Sequence, residues 1–446
     1  MRKALWFPLI LLIIATTSLV HTIFLDLSFD ELIQYDTLFG RKLSTVLYHI
    51  IYQDHQLPFQ YLILHPLVNS SFASASRFFF RFPSLVFGFS TLVVFFQLSN
   101  FFLKETYWRY VAFALLASNI MFIELSANAR PYSAMLLFFT FSLLAALKNL
   151  EREINLFWVI GFILSLSLLA STHYYGILYA AMIILGFLYC KNANTRLISF
   201  ILGLLSLLGA LTWLSQMTIN FHPQKTTPSL IKLMGVFSSL GSGVFGFSLL
   251  VLLSFFLKTY RKPKFVALVL LFASPIFASL VLSYMWRPLF EYRFFYPGVI
   301  CLSLLLAMSL EGLSIGYSKE RKLTGLFFFI GVGLCIQQGL HAVKQKNSNA
   351  FPHGQKSTQF IIENIAEEAT VVACGNCPSF YFNDKRLACL GGWNFKKRSV
   401  KHPAEVKAMM IFTMNNRFCL PQVPSHLKKI KSFDGVDLYS TSKKPL

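Results

Sequence analysis

The stretch PYSAMLLFFTFSLLAALKN, residues 131–149, is apolar along most of its length. As a helix it rises about 28 Å, close to the thickness of a bilayer's hydrocarbon core. Its two flanks differ in kind. Lys148 to Arg152 close one end with positive charge, whereas Ser126 to Tyr132 open the other with hydroxyls, an amide and Arg130. Working outward, comparable apolar runs lie at about 4–20, 84–103, 110–126, 157–173, 175–190, 197–216, 236–257, 265–285, 293–310 and 323–341. Together these predict about eleven membrane-spanning helices. The connections Lys104 to Arg109, Lys148 to Arg152, Lys191 to Arg196, Lys258 to Lys264 and Lys319 to Lys322 all fall on one side of that scheme. Retention of Lys and Arg on the cytoplasmic side assigns that side.

Composition supports the same class. The chain has 446 residues, 55% hydrophobic and 16% aromatic, which describes lipid-embedded helices and predicts an all-α polytopic membrane protein. The net charge of +21 does not point to nucleic acid, because the basic residues lie between apolar runs and not on one folded face. Arg2 and Lys3 precede the first run, which is long for the apolar region of a signal peptide and reads as a retained signal-anchor. Leu57 to Val68 is apolar but short, about 18 Å as a helix, and reads as a juxtamembrane or re-entrant piece. Counting it as a span would put every later Lys/Arg cluster outside.

Residues 1–342 thus form a transmembrane domain whose first outer loop covers about 25–83, and residues 343–446 a small soluble α/β domain on the extracytoplasmic side. In the tail, Ala369 to Cys374, Ala408 to Thr413 and Val436 to Tyr439 read as strands and Ser357 to Ala366 as a helix. Cys374, Cys377, Cys389 and Cys419 lie there too, and an oxidising compartment would allow two disulfides among them with three pairings open. The Cys374-Gly-Asn-Cys377 spacing also suits zinc or redox chemistry, although no second close pair completes a zinc site. Gly241-Ser-Gly243-Val-Phe-Gly246 matches a dinucleotide fingerprint in letters only, since it sits in an apolar stretch with no acidic residue about twenty positions on. Close helix packing through small residues explains it better, and no nucleotide cofactor is expected.

Chemistry concentrates elsewhere. Asp26, Asp30, Glu31 and Asp36 follow the first apolar run in a chain with only 19 acidic residues. Asp54 and His55, Arg77 and Arg81, Ser126 to Tyr132, Thr172 to Tyr175, and Glu291 to Arg293 all fall near the same membrane surface. Carboxylates facing a cationic rim suit a lipid phosphate and an acceptor that must lose a proton.

Several of these segments resemble the GT-C glycosyltransferases that use polyprenyl-phosphate sugars, including protein O-mannosyltransferases and lipid A aminoarabinose transferases. Ser28-Phe-Asp30-Glu31-Leu is similar to that family's Asp-Glu signature. Asp54-His55-Gln-Leu-Pro58-Phe-Gln-Tyr61-Leu and Phe80-Arg81-Phe-Pro83-Ser84 resemble its next two segments. Ser126-Ala-Asn128-Ala-Arg130-Pro131-Tyr132, Thr172-His173-Tyr-Tyr-Gly176 and Tyr292-Arg293-Phe-Phe-Tyr-Pro297 follow in the family's order. Asn128 stands where the family often has Glu, and Gln56-Leu57 replaces part of a Pro pair.

The resemblance implies sugar transfer from a polyprenyl-phosphate donor to a lipid, glycan or protein acceptor, in a bacterial inner membrane with the site outside. Asp30 would be the base, and Glu31 would assist it or join Asp30 in holding a divalent cation. His55, Arg81, Arg130, Tyr132, His173 and Arg293 would bind the donor and its phosphate. The rival readings are a lipid-linked sugar flippase or transporter, an O-antigen polymerase or ligase, a non-enzymatic scaffold and a non-catalytic family member. Neither internal repeats nor midplane charge clusters favour a transporter.

Overall fold

The computed structural model describes residues 29–50, 58–70, 77–117, 119–151, 155–186, 200–201, 203–204, 233–234, 236, 240, 262–285, 292–314, 370–374, 387–390, 406–412, 428–433 and 436–440. The expected spans at 4–20, 197–216 and 323–341, most of that at 236–257, the 241–246 glycines and the 357–366 helix lie outside these residues. By internal contacts the chain divides into two compact units. One comprises Met1–His21, His49–Gln60 and Arg81–Lys344, and the other Thr22–Tyr48, Tyr61–Phe80 and Gln345–Leu446.

The helices are α1 (Phe29–Leu38), α2 (Leu43–His49), α3 (Phe59–Val68), α4 (Arg77–Ser99), α5 (Thr106–Ala117), α6 (Ile120–Ala127), α7 (Tyr132–Glu151), α8 (Leu156–Thr172), α9 (Tyr174–Gly186), α10 (Pro263–Met285) and α11 (Gly298–Ser314). A 3-10 turn, Tyr292–Phe295, precedes α11. Among the described residues, Phe78–Ser99, Tyr132–Leu150 and Pro263–Tyr284 are long and apolar enough to cross a membrane. Thr106–Ala117 and Met121–Ala127 make a fourth if counted as one span bent by 61°. The expected span 110–126 is therefore broken. Asn119 marks the break: its side chain accepts from the Phe122 amide at 3.2 Å and donates to the Leu240 carbonyl at 2.8 Å. A polar cap restarts the helix in a new direction while satisfying backbone that lipid could not.

In the first unit, neighbouring helices pack in the order α5, α6, α7, α8, α9, α10, α11 and back to α5, so the contacts close on themselves. The core they enclose is aromatic as well as aliphatic, with Phe95, Phe113, Phe139, Phe162, Phe295 and Tyr296 fully buried. Without water to drive helices together, such close packing supplies the association energy.

One end of this bundle is tied by charge. The connection after α4 is gripped by Lys264, which donates to the Phe101 carbonyl at 2.6 Å, and by Glu311, whose carboxylate accepts from the Lys104 and Glu105 amides at 2.8 and 3.1 Å. The carboxylate thus meets the opening of α5, where backbone N–H groups have no helical acceptor. Lys148 stands 4.9 Å over the Phe101 ring.

The turn between α8 and α9 is tight. Only His173 separates the two helices, and the Gly176 amide donates to its carbonyl at 2.7 Å. A Cβ on Gly176 would stand 2.0 Å from the Leu169 carbonyl oxygen. Glycine is required there by space.

In the other unit, Glu31, Gln34, Tyr35 and Leu38 are the buried stripe of α1 at helical spacing. Gly40, at φ +67, takes the left-handed conformation that ends the helix. Asn69, just past α3, holds that turn: it accepts from the Gly40 amide at 2.8 Å and donates to the Leu38 carbonyl at 3.1 Å. His65 donates through Nε2 to the Arg41 carbonyl at 2.8 Å.

A five-stranded sheet of order β2-β1-β3-β5-β4 completes the described residues: β1 (Thr370–Cys374), β2 (Leu387–Leu390), β3 (Val406–Phe412), β4 (Lys428–Phe433) and β5 (Val436–Ser440). β1 pairs in parallel with β2 and β3, while β5 runs antiparallel to β3 and β4. β1, β3 and β5 are the three runs expected as strands. β2 and the lysine-rich β4 were not expected. Cys374 and Cys389 lie on the adjacent strands β1 and β2, and Cys377 and Cys419 lie outside the described residues.

Gly176→Ala is expected to destabilise the protein by about 1–3 kcal/mol, because the methyl meets backbone that cannot yield. Thermal unfolding in detergent measures it, and an unchanged midpoint would show that the turn relaxes.

Candidate active site

The cationic site is built at the end of the bundle opposite Lys104, Lys148 and Lys264. Arg81 stands one turn into α4 and Ser99 at its other end, so the two ends are separated by about 27 Å of helix. Chain direction alternates consistently. α7 begins at Tyr132 and ends past Lys148, α10 begins beside Lys264 and ends near the Arg293 turn, and α11 runs from Gly298 back to Glu311.

Each cationic residue is displayed for a local reason. Arg81 is 2% exposed, in the first turns of a helix that begins seven residues before the expected span. Arg130 occupies the short connection between α6 and α7, where Asn128 leaves the helix in extended conformation and the Arg130 amide donates to the Asn128 carbonyl at 2.7 Å. Pro131 fixes the next φ and starts α7 without an amide hydrogen to satisfy. Arg293 lies in the 3-10 turn before α11.

His173 brings these segments together. Its ring is partly buried among Tyr174 at 4.0 Å, Phe294 at 4.9 Å, Tyr132 at 5.8 Å and Tyr175 at 6.0 Å between centroids. Tyr132 comes from α7 and Phe294 from the Arg293 turn. His173 lies beyond the end of α8 and before α9. Burial first, and then the positive charges of Arg130 and Arg293, pull its imidazole down from 6.5 to about 3. Both guanidinium groups therefore act on one ring. Nδ1 accepts from the Tyr175 amide at 3.2 Å, so in the neutral ring Nε2 carries the proton and can donate it in a hydrogen bond.

The structure thus brings together Arg130, Tyr132, His173 and Arg293. Arg81 reaches the same end of the bundle on α4. That helix passes Ser126 so closely that a Cβ on Gly88 would be 2.8 Å from the Ser126 side chain. His55 lies outside the described residues. Asp30 and Glu31 are on α1, in the other unit, with Glu31 fully buried. Among the described residues, no three His, Cys, Asp or Glu side chains group as a metal site. The described residues therefore do not by themselves compose a cation site, and no step is assigned to one.

Several polar side chains not expected from the sequence stand out. Ser84 and Ser133 have buried hydroxyls without a hydrogen-bond partner, and Gln34 and Gln60 have buried amides with neither end bonded. Each such group costs about 1–3 kcal/mol unless something completes it. Ser84 could have been found from its helical spacing, three residues after Arg81. Gln34 falls three residues after Glu31 on the buried stripe of α1, but an isolated amide carries little signal in a sequence.

Comparison with known proteins places the fold. No family model matches the chain, and no curated protein matches it. The structure of ArnT from Cupriavidus metallidurans in the apo state matches with a TM-score of 0.69 at 10% identity, covering 99% of both chains. The same protein bound to undecaprenyl phosphate matches with a TM-score of 0.66 at 10% identity, covering 98% of both. The oligosaccharyltransferase of Archaeoglobus fulgidus, in complex with Zn and sulfate, is a more distant likeness: TM-score 0.48 at 13% identity, covering 97% of this chain and 73% of that one. The chain has the fold of ArnT.

Because the ring of His173 stays neutral when folded and binds a proton below about 6.5 when unfolded, acid favours unfolding in that window, and stability falls as pH drops from 6.5 toward 3. His173→Gln removes this term. The thermal midpoint in detergent should fall less in the variant than in the wild type between about pH 7 and about pH 5. Equal falls would mean that the ring is not held neutral.

Proposed function

We propose that the protein is a membrane glycosyltransferase that moves a sugar from a polyprenyl-phosphate donor to a lipid, glycan or protein acceptor at the outer face of the membrane, by a single inverting displacement. The observation that carries this reading is the packing of Tyr132, beside Arg130, and of Phe294, beside Arg293, on the ring of His173 at the end of an apolar bundle. Positive charge held there suits a phosphate whose lipid tail lies in the bilayer. The ArnT-like fold and the order of motifs shared with polyprenyl-phosphate-dependent transferases support the same substrate class.

In this reading an acceptor oxygen attacks the anomeric carbon while the bond to the phosphate oxygen breaks. The electron pair leaves with the polyprenyl phosphate, so no general acid is needed. Arg130, Arg293 and the Nε2–H of His173 stabilise that departing charge, and Arg81 adds to the field. Asp30 takes the acceptor's proton, and Glu31 assists it. The uncompleted hydroxyls of Ser84 and Ser133 suit hydroxyl-rich substrates. The sheet and the rest of residues 343–446 form an extracytoplasmic accessory domain that contributes to acceptor selection.

The test is sugar transfer from a panel of labelled polyprenyl-phosphate sugars by the purified full chain in lipid, with membrane extract as acceptor. Asp30→Asn is expected to abolish turnover while donor binding remains. Arg130→Gln and Arg293→Gln should each weaken donor binding about tenfold or more, the worth of a charge-assisted hydrogen bond. Lipid translocation without sugar transfer would replace this reading with the flippase.

A further inference from the structure

We infer that Tyr296 is a positioning residue that fixes the spacing of Arg130 and Arg293 by clasping the two segments that carry them. This rests on the phosphate-binding reading of those arginines. The clasp itself is a matter of geometry. Tyr296 is fully buried between the Arg293 turn and α11. Its hydroxyl donates to the Phe122 carbonyl at 3.1 Å and accepts from the Ser126 hydroxyl at 3.1 Å. Phe122 and Ser126 are one turn apart on α6, so a single phenol spans a turn of that helix, and its ring also packs on Phe122 with centroids 6.5 Å apart.

The placement of these bonds is what gives them a role. Ser126 lies four residues before Arg130, at the end of a helix that has just left its expected path at Asn119. Tyr296 lies three residues after Arg293. Neither arginine sits within an α-helix: Arg130 is in the connection between α6 and α7, and Arg293 is in a 3-10 turn of only four residues. The bent α6 and the 3-10 turn are each short, and the clasp joins them directly. The rigid α4 backs it from behind, since Gly88 lets that helix lie against Ser126 with no room for a methyl. Two guanidinium groups that must bind one phosphate need a fixed separation, and small errors in it cost affinity.

Tyr296→Phe keeps the ring and removes both hydrogen bonds. The assay is binding of a fluorescent short-chain polyprenyl phosphate to the full chain in nanodiscs, which reads affinity independently of sugar transfer. In the wild-type background, Tyr296→Phe is expected to weaken binding about five- to tenfold, as loss of one or two buried hydrogen bonds would allow. In the Arg293→Gln background it should weaken binding less than about twofold, because the group it positions has gone. A purely structural loss would instead weaken both backgrounds alike, and that additivity overturns the proposal, as does unchanged binding in the wild-type background. If Tyr296→Phe fails to fold, Ser126→Ala serves. It leaves the bond to Phe122 intact and should show the same non-additivity with an effect of about two- to threefold. Should Arg293→Gln alone bind like the wild type, the phosphate reading itself fails, which the same experiment separates from failure of the clasp.

Discussion

The structure depends on the cost of keeping positive charge in a bundle built for hydrocarbon. Arg81 is almost wholly buried, and Arg130 and Arg293 add their positive charge to the burial that keeps His173 neutral. Charge in such a place is held only where other groups or a bound anion offset it. The bundle meets this constraint by confining these arginines to one end, and by giving the opposite end its own arrangement of lysines and a buried glutamate on backbone groups. The helices between are then mostly apolar, and the buried hydroxyls they carry, such as Ser142 and Ser165, bond to each other.

That polarity explains several local choices that would otherwise look unrelated. The α5–α6 break lets the chain leave its straight path just before Arg130, and Asn119 satisfies the backbone that the break exposes. His173 is the only residue between α8 and α9, which is possible because Gly176 has no side chain to strike Leu169. The result is a ring whose one accepting nitrogen is already used by backbone. A neutral N–H donor in the positive field of two arginines is chemically suited to an anion, whereas a protonated ring there would add a third charge.

Much of this was legible in the sequence. Residues 131–149 read as a span because nineteen consecutive positions, flanked by unlike ends, can do little else in water or lipid. The ends of α7, α8 and α10 fall within a few residues of where hydropathy puts them. Arg130, Tyr132, His173 and Arg293 were legible as candidates because polar residues at the same ends of successive spans must share a membrane surface. The bend at Asn119 was not, since a single amide within the mostly apolar run 110–126 carries little signal and the cap's effect depends on the Leu240 carbonyl, far along the chain. β4 was missed because its lysines resemble a loop, and only pairing with β5 makes the segment a strand.

The sequence by itself determined the class: apolar runs of bilayer length read as membrane-spanning helices, because burying unpaired backbone or charge in lipid costs too much. It also determined which residue types could meet at the polar end. Only the tertiary structure decided which of them do meet. The approach of two arginines to one ring, the phenol of Tyr296 bridging a turn of α6, and the buried unbonded Ser84 and Ser133 each depend on atoms from helices far apart in sequence. Hydropathy sets the depth of a residue in the membrane, but the direction of its side chain is set by the packing of its neighbours.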